Sequence, residues 1–310
     1  MLSQASLKKT EGLAYLLLIL TTLFWGGNFV VARAVHAEIP PLALAWWRWL
    51  LAMFIILPFA GQQLWKARHI IAQHWLKLTL MALFGVTGFN TLVYMGLQTL
   101  PASNGILLLS ACPLFILVFS WWFFGDPINL KQIIGLIVSL VGICVLVSKG
   151  DLTGIFSQLG GGNGNLWVIA AVLSWAIYSV MLRTRPANLS GLAFFALTVI
   201  LGWLQLTPFY LYELLVQERS FSINLTSLLS IGYVGLFASI GAFLFWNRGV
   251  EILTASRAGY FIHLIPVWGL ILASIFLAEQ LEGFHWTGML LIFTGIVLAT
   301  FLKNNQTLSR

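Results

Sequence analysis

The chain has 310 residues, of which 60% are hydrophobic and only 8% charged, with a formal net charge of +7. An ordinary soluble domain carries roughly 25% charged residues, so this chain cannot dress a soluble surface. The composition excludes a typical cytosolic enzyme, a nucleic-acid module and a disordered chain, and it fits a protein that crosses the membrane many times.

Ten apolar segments can be marked in chain order, at roughly 13–35, 41–60, 75–97, 102–124, 130–148, 165–184, 190–213, 226–250, 255–277 and 284–302. At about 20 apolar residues per crossing, ten crossings use roughly 200 residues and leave about 110 for loops and ends. Each segment is long enough to cross as a helix, and lipid cannot satisfy the open backbone groups of anything else. The predicted fold class is an all-α membrane protein of ten transmembrane helices. Lys8 and Lys9 before the first run, and Ala32-Arg33-Ala34 after it, have the look of a signal peptide. The run from Leu13 to Val31 outlasts a signal core of 7–15 residues, so it is read as a retained span. The links Gln98–Pro101 and Gly125–Asn129 are short, which makes neighbouring helices antiparallel. Pro208 is expected to break the seventh span. Cys112 and Cys144 fall inside apolar segments and read as packed thiols rather than a disulfide.

The widest change of composition is Lys149–Asn165, with glycine at 160, 161, 162 and 164. A phosphate loop would need Gly-Lys-Ser/Thr after a strand, and neither is present. The stretch reads as a linker that divides the chain into 1–148, 149–164 and 165–310. The two halves repeat. Trp25 and Arg33 match Trp175 and Arg183 at an offset of 150. At an offset of 153, Gly96 matches Gly249, Ala102-Ser103 matches Ala255-Ser256 and Pro113 matches Pro266. Asp126 then matches Glu279, Gly135 matches Gly288 and Gly142 matches Gly295. Five spans is an odd number, so the second copy enters from the opposite side, as two inverted five-helix repeats. With a cytoplasmic N-terminus, eleven Lys/Arg lie inside and three outside, leaving out Arg48 and Arg248 within spans. Basic residues concentrate in cytoplasmic loops, so both termini are expected there.

Several stretches resemble the drug/metabolite transporter superfamily, EamA type. They are Trp25-Gly26-Gly27-Asn28-Phe29, Pro41 with Arg48, Pro113, Gly125-Asp126, Gly135 and Gly142, then Pro266, Ala278-Glu279, Gly288 and Gly295. The chain departs from the family at Asp126-Pro127, where glutamate is usual, and at Trp175-Ala176-Ile177, where Trp-Gly-Gly is usual. The resemblance implies a secondary transporter of small metabolites, not an enzyme. Its expected setting is the bacterial inner membrane, its partners a small-molecule solute and the lipid bilayer. Amino acids and related solutes are the expected export class, with a proton as coupling ion. No cofactor or nucleic acid is expected, and the state is a monomer or a weak homo-oligomer. The alternatives are a drug or cation efflux carrier of the same fold, a lipid flippase or an intramembrane enzyme.

The candidate pathway residues are the polar and aromatic groups inside the spans. Pro113 and Pro266 cannot donate to the carbonyls of Leu109 and Ile262, so kinks and freed backbone are expected near the bilayer midplane. Ser110 accompanies the first kink. His263 adjoins the second, and Ser256, Tyr260 and His263 share a helical face that should turn inward, where His263 either meets solute or a coupled proton or is a neutral ring hydrogen-bonded to a neighbouring helix. Asn90 and Tyr94 share a face of the third span. Asn28 and Tyr178 correspond between the first and sixth spans, and Trp246 and Asn247 sit late in the eighth. Trp25 and Trp175 lie within their helices, where they suit either packing or the wall of a cavity for a partly apolar solute. Arg48 lies about 10 Å along its helix from Pro41 among Trp46, Trp47 and Trp49, and a structural role is favoured over anion binding. Asp126 and Glu279 read as helix-end contacts. The histidines His36, His69, His74, His263 and His285 have no metal-ligand spacing, and no hydrolase or ATPase motif appears.

Overall fold

The computed structural model describes residues 4–100, 102–151, 163–277 and 280–300. Most of the glycine linker, Glu279 and both ends lie outside the described residues, as do the side chains of Arg33 and Ser103. Among the described residues, ten helices are long and apolar enough to cross a membrane. In the first half they are α1 Thr10–Ala32, α2 Pro41–Lys66, α3 Trp75–Gly96, α4 Gly105–Phe124 and α5 Leu130–Val147. In the second they are α6 Asn163–Thr184, α7 Gly191–Leu215, α8 Leu225–Leu253, α9 Ala255–Leu272 and α10 Gly283–Thr300. A short helix, Arg68–Gln73, joins α2 to α3.

Local sequence sets where these helices start and stop. Asn129 caps α5 by accepting from Lys131 N at 3.1 Å, while Gln132 reaches back to Asn129 N at 3.0 Å. Gly125, at φ +67°, closes α4 in the left-handed conformation that glycine tolerates. Helix α2 begins at Pro41, so its first amides need an outside acceptor. Glu213, buried at the end of α7, supplies it, taking Ala43 N at 2.8 Å and Leu42 N at 3.3 Å. A carboxylate at a helix N-terminus also meets the positive end of the dipole. Helix α7 runs unbroken through Pro208, which corrects the expected break. A single proline removes one backbone bond, and a 25-residue helix packed along α2 keeps the rest.

The packing follows the repeat. Helix α1 packs on α8 and α9, and its counterpart α6 packs on α3 and α4. Helices α2 and α7, which correspond, pack on each other, as do α5 and α10. The two halves therefore interlock rather than sit side by side. Outward-facing side chains such as Phe54, Phe59, Leu204 and Leu290 are apolar and exposed, as a lipid-facing surface requires.

The α5–α10 contact is a backbone-to-backbone approach. A Cβ on Gly295 would lie 2.5 Å from the Gly135 carbonyl and 2.6 Å from Ser139 N. One on Gly142 would lie 2.7 Å from the Gly288 carbonyl. Small residues at such crossings let helices pack closely where no hydrophobic force drives them together. Gly295→Leu should therefore force the two helices apart and destabilise the fold by about 3 kcal/mol. Thermal melting in detergent would read this, and an unchanged midpoint would refute the close-packed crossing.

Two pairs of corresponding helices, α3 with α8 and α4 with α9, depart from regular α geometry at matching places. Helix α3 widens into a π turn at Leu83–Gly88 and α8 into one at Val234–Gly241. Helix α4 breaks at Ser110–Ala111, just before Pro113. Helix α9 tightens into a 3-10 turn at Tyr260–His263, just before Pro266. Such turns take carbonyls out of the regular ladder and offer them to side chains.

Candidate functional site

A narrow cavity, about 40 Å³ in volume, lies between the halves. Its wall comes from α1, α3, α4, α5, α6 and α9, and both helix breaks contribute. Trp25, Phe29, Phe89 and Trp175 make an aromatic side, with Trp175 centred 5.0 Å from Trp25 and 4.8 Å from Phe89. Asn28, Asn90, Tyr94 and Ser110 are its polar lining.

Behind Asn90 and Tyr94 sits Arg48, wholly buried. Its Nε donates to Ser239 Oγ at 2.7 Å, and Nη1 donates to Tyr94 OH at 2.9 Å and Asn90 Oδ1 at 3.0 Å. Nη2 donates to the Ala238 carbonyl at 3.2 Å, which also accepts from Trp25 Nε1. Ala238 and Ser239 belong to the π turn of α8, whose altered ladder makes this reach possible. The guanidinium also stacks over Trp49, 5.0 Å from the ring centre. No carboxylate pairs with Arg48 among the described residues. Tyr94 OH in turn reaches Asn28 Oδ1 at 3.4 Å, so the polar wall is one connected network.

His263 lies at the α9 turn, wholly buried, and does not line the cavity. Its Nε2 is 2.8 Å from the Ser110 carbonyl and its Nδ1 2.7 Å from Ser139 Oγ. A carbonyl only accepts, so Nε2 carries a hydrogen. Ser139 Oγ also lies 3.0 Å from the Leu136 carbonyl. Its hydroxyl hydrogen can point to either partner, so the same atoms fit a neutral or a charged ring. Ser110 and His263 correspond at the offset of 153, so this bond joins the two helix breaks directly.

Of the eleven expected pathway residues, Trp25, Asn28, Asn90, Tyr94, Ser110 and Trp175 come together on the cavity wall, as does Pro266. Pro113 adjoins the wall residue Cys112. Tyr178, Trp246, Asn247, Tyr260 and His263 do not line this cavity. The expected inward face of Ser256, Tyr260 and His263 presumes 3.6 residues per turn, and the 3-10 turn rephases it. All three are buried within the protein rather than facing lipid. Trp246 packs behind the wall, 5.4 Å from Trp25 and 5.6 Å from Trp175.

Asn247 lines a second cavity, about 610 Å³ and open to solvent, at the ends of α4, α6, α8 and the start of α9. Ion pairs line it, Arg183–Asp126 at 2.8 Å and Arg185–Glu251 at 3.1 Å. Between the cavities, Tyr178 packs 5.2 Å from Trp175 and donates to Asn247 Oδ1 at 2.9 Å. The contacts made by Ser139 and Ser239 are not apparent from sequence, because serines in apolar helices give almost no signal. Arg48 itself is visible there, as a charge in mid-span.

The sequence pattern of the EamA-like transporter family matches residues 12–148 and again 162–301. The uncharacterized transporter YyaM of Bacillus subtilis is 25% identical over 289 residues, covering 92% of this chain and 93% of that protein. A probable amino-acid metabolite efflux pump of Salmonella typhimurium is 28% identical over 301 residues, covering 92% of this chain and 94% of the pump. A crystal structure of 19% identity superposes with a TM-score of 0.75 over 93% of this chain and 97% of its own, which shows the same fold. One pattern found twice, once in each interlocked five-helix half, makes this chain a member of the EamA-like transporter family, within the drug/metabolite transporter superfamily.

Proposed function

We propose that the protein is a secondary transporter that exports small metabolites, amino acids and related solutes foremost, by alternating access between its inverted halves. The observation that carries this reading is the cavity between the halves, walled by the two broken helices α4 and α9. Broken helices at matching places of inverted repeats are where carriers of this kind hold solute. The amino-acid class is supported by the name of the Salmonella relative. Purified protein in liposomes, offered a panel of labelled amino acids with and without an imposed pH gradient, tests it. Saturable uptake above protein-free liposomes is expected, and a dependence on the gradient would identify a proton as the coupling ion. Uptake of no panel member would count against the amino-acid class.

The same reading places the protein in the bacterial inner membrane with both termini cytoplasmic, supported by the eleven-to-three Lys/Arg asymmetry. Single cysteines in the 61–74 loop should react with a membrane-impermeant thiol reagent only from the cytoplasmic side. Cysteines in 149–164 should react only from outside. Labelling of the 61–74 loop from outside would overturn the orientation.

A further inference from the structure

The chemistry of the cavity wall is one-sided. Asn90 Oδ1 is held by Arg48, and a guanidinium can only donate, so the amide orientation is fixed. The two hydrogens of Asn90 Nδ2 then have no partner within the protein, though the residue is buried. Trp175, also buried on the wall, leaves its Nε1–H without a partner. Buried donors are usually matched, and an acceptor entering this cavity from outside the chain would match these two. The side-chain oxygens of Asn28 and Asn90 on this wall are already accepting. No acidic side chain lines the cavity among the described residues. Arg48, one hydrogen bond behind the wall, has no counter-charge there.

We propose that the cavity is a carboxylate site: Asn90 Nδ2 and Trp175 Nε1 donate to the acid group of the solute, with Arg48 supplying the opposing charge. The aromatic side made by Trp25, Phe29 and Phe89 takes an apolar or aromatic body. The site admits acids and repels amines that lack an acid group, which sets it against a drug or cation efflux role. The proposal rests on the cavity being the solute site.

Three compounds of one shape and different charge test it: phenylacetate, phenylacetamide and phenylethylamine. Titration calorimetry on the purified protein in nanodiscs should find phenylacetate bound roughly 10- to 100-fold more tightly than phenylacetamide, the worth of a charged over a neutral hydrogen bond. Phenylethylamine should not bind. Asn90→Asp replaces a donor by an acceptor and gives Arg48 a carboxylate partner, so the variant should stay folded and lose the preference for the acid. Trp175→Phe keeps the ring packing and removes one donor, and should weaken phenylacetate roughly 5- to 10-fold. Melting curves confirm that both variants are folded. Equal binding of the amide or the amine, or an unchanged acid affinity in Asn90→Asp, overturns the carboxylate site. If none of the three binds but the amino-acid panel is still transported, the carboxylate site falls and the carrier stands. If neither binding nor transport is found, both fall.

Discussion

Arg48→Met should abolish solute transport while leaving the protein folded. The two effects of this change can be separated bond by bond. Ser239 Oγ keeps its bond to the Val234 carbonyl at 2.9 Å, and Tyr94 OH keeps its bond to Asn28. The Ala238 carbonyl keeps Trp25 Nε1. Only Asn90 Oδ1 is left without a partner, and its stability cost of about 1–3 kcal/mol is offset in part by no longer burying a charge. The functional loss is larger. A solute carboxylate held by Asn90 would sit roughly 6 Å from the guanidinium, where the attraction is about 3 kcal/mol at an effective dielectric of 20, or roughly 100-fold in affinity. The freed amide can also flip and turn its oxygen to the solute. Transport assays beside melting curves read both effects. Wild-type transport by Arg48→Met would show that the charge is purely structural.

His263→Ala should act the other way, with a large loss of stability and little direct effect on solute. The imidazole is wholly buried, and both its nitrogens are bonded, one to α4 and one to α5. Alanine leaves a cavity and strands the Ser110 carbonyl, together costing about 3 kcal/mol or more. Asparagine retains one of the two bonds and should lose about half as much. Because the ring is absent from the cavity wall, the folded fraction should bind solute within about threefold of wild type, less than the worth of one hydrogen bond. A collapse of affinity at an unchanged melting temperature would mean that the ring meets solute directly.

The fold was legible in the sequence because its signals are long and redundant. Ten apolar runs of about membrane thickness, and glycines and prolines paired at one offset, leave little room for another architecture. Pro208 was misleading because a lone proline says where a hydrogen bond is missing and not whether packing bridges the gap. The site was legible in part. Trp25, Asn28, Asn90 and Tyr94 stand out as polar or aromatic groups deep in apolar spans. The position of His263 was not legible, since a few residues of tighter helix rotate a side chain from one neighbour to another. Arg48 was visible but read mainly as structural, because only the three-dimensional structure shows that its partners are neutral and that two of them line a cavity.

Ser110 and His263 hold equivalent places in the two halves, yet only one of them is a ring long enough to cross between helices. In a carrier whose halves trade conformations, the opposite state would ask Ser110 to reach the His263 carbonyl with a side chain one atom beyond Cβ. That bond cannot form over the span that an imidazole fills. The two access states would then differ by at least one buried hydrogen bond, about 1 kcal/mol, or roughly fivefold in resting population. Solute arriving from the less populated side would meet a competent carrier that much less often, and its apparent affinity would be lower by the same factor. A built-in difference of this kind gives such a carrier unequal affinities on its two faces, without any change in the residues that touch solute.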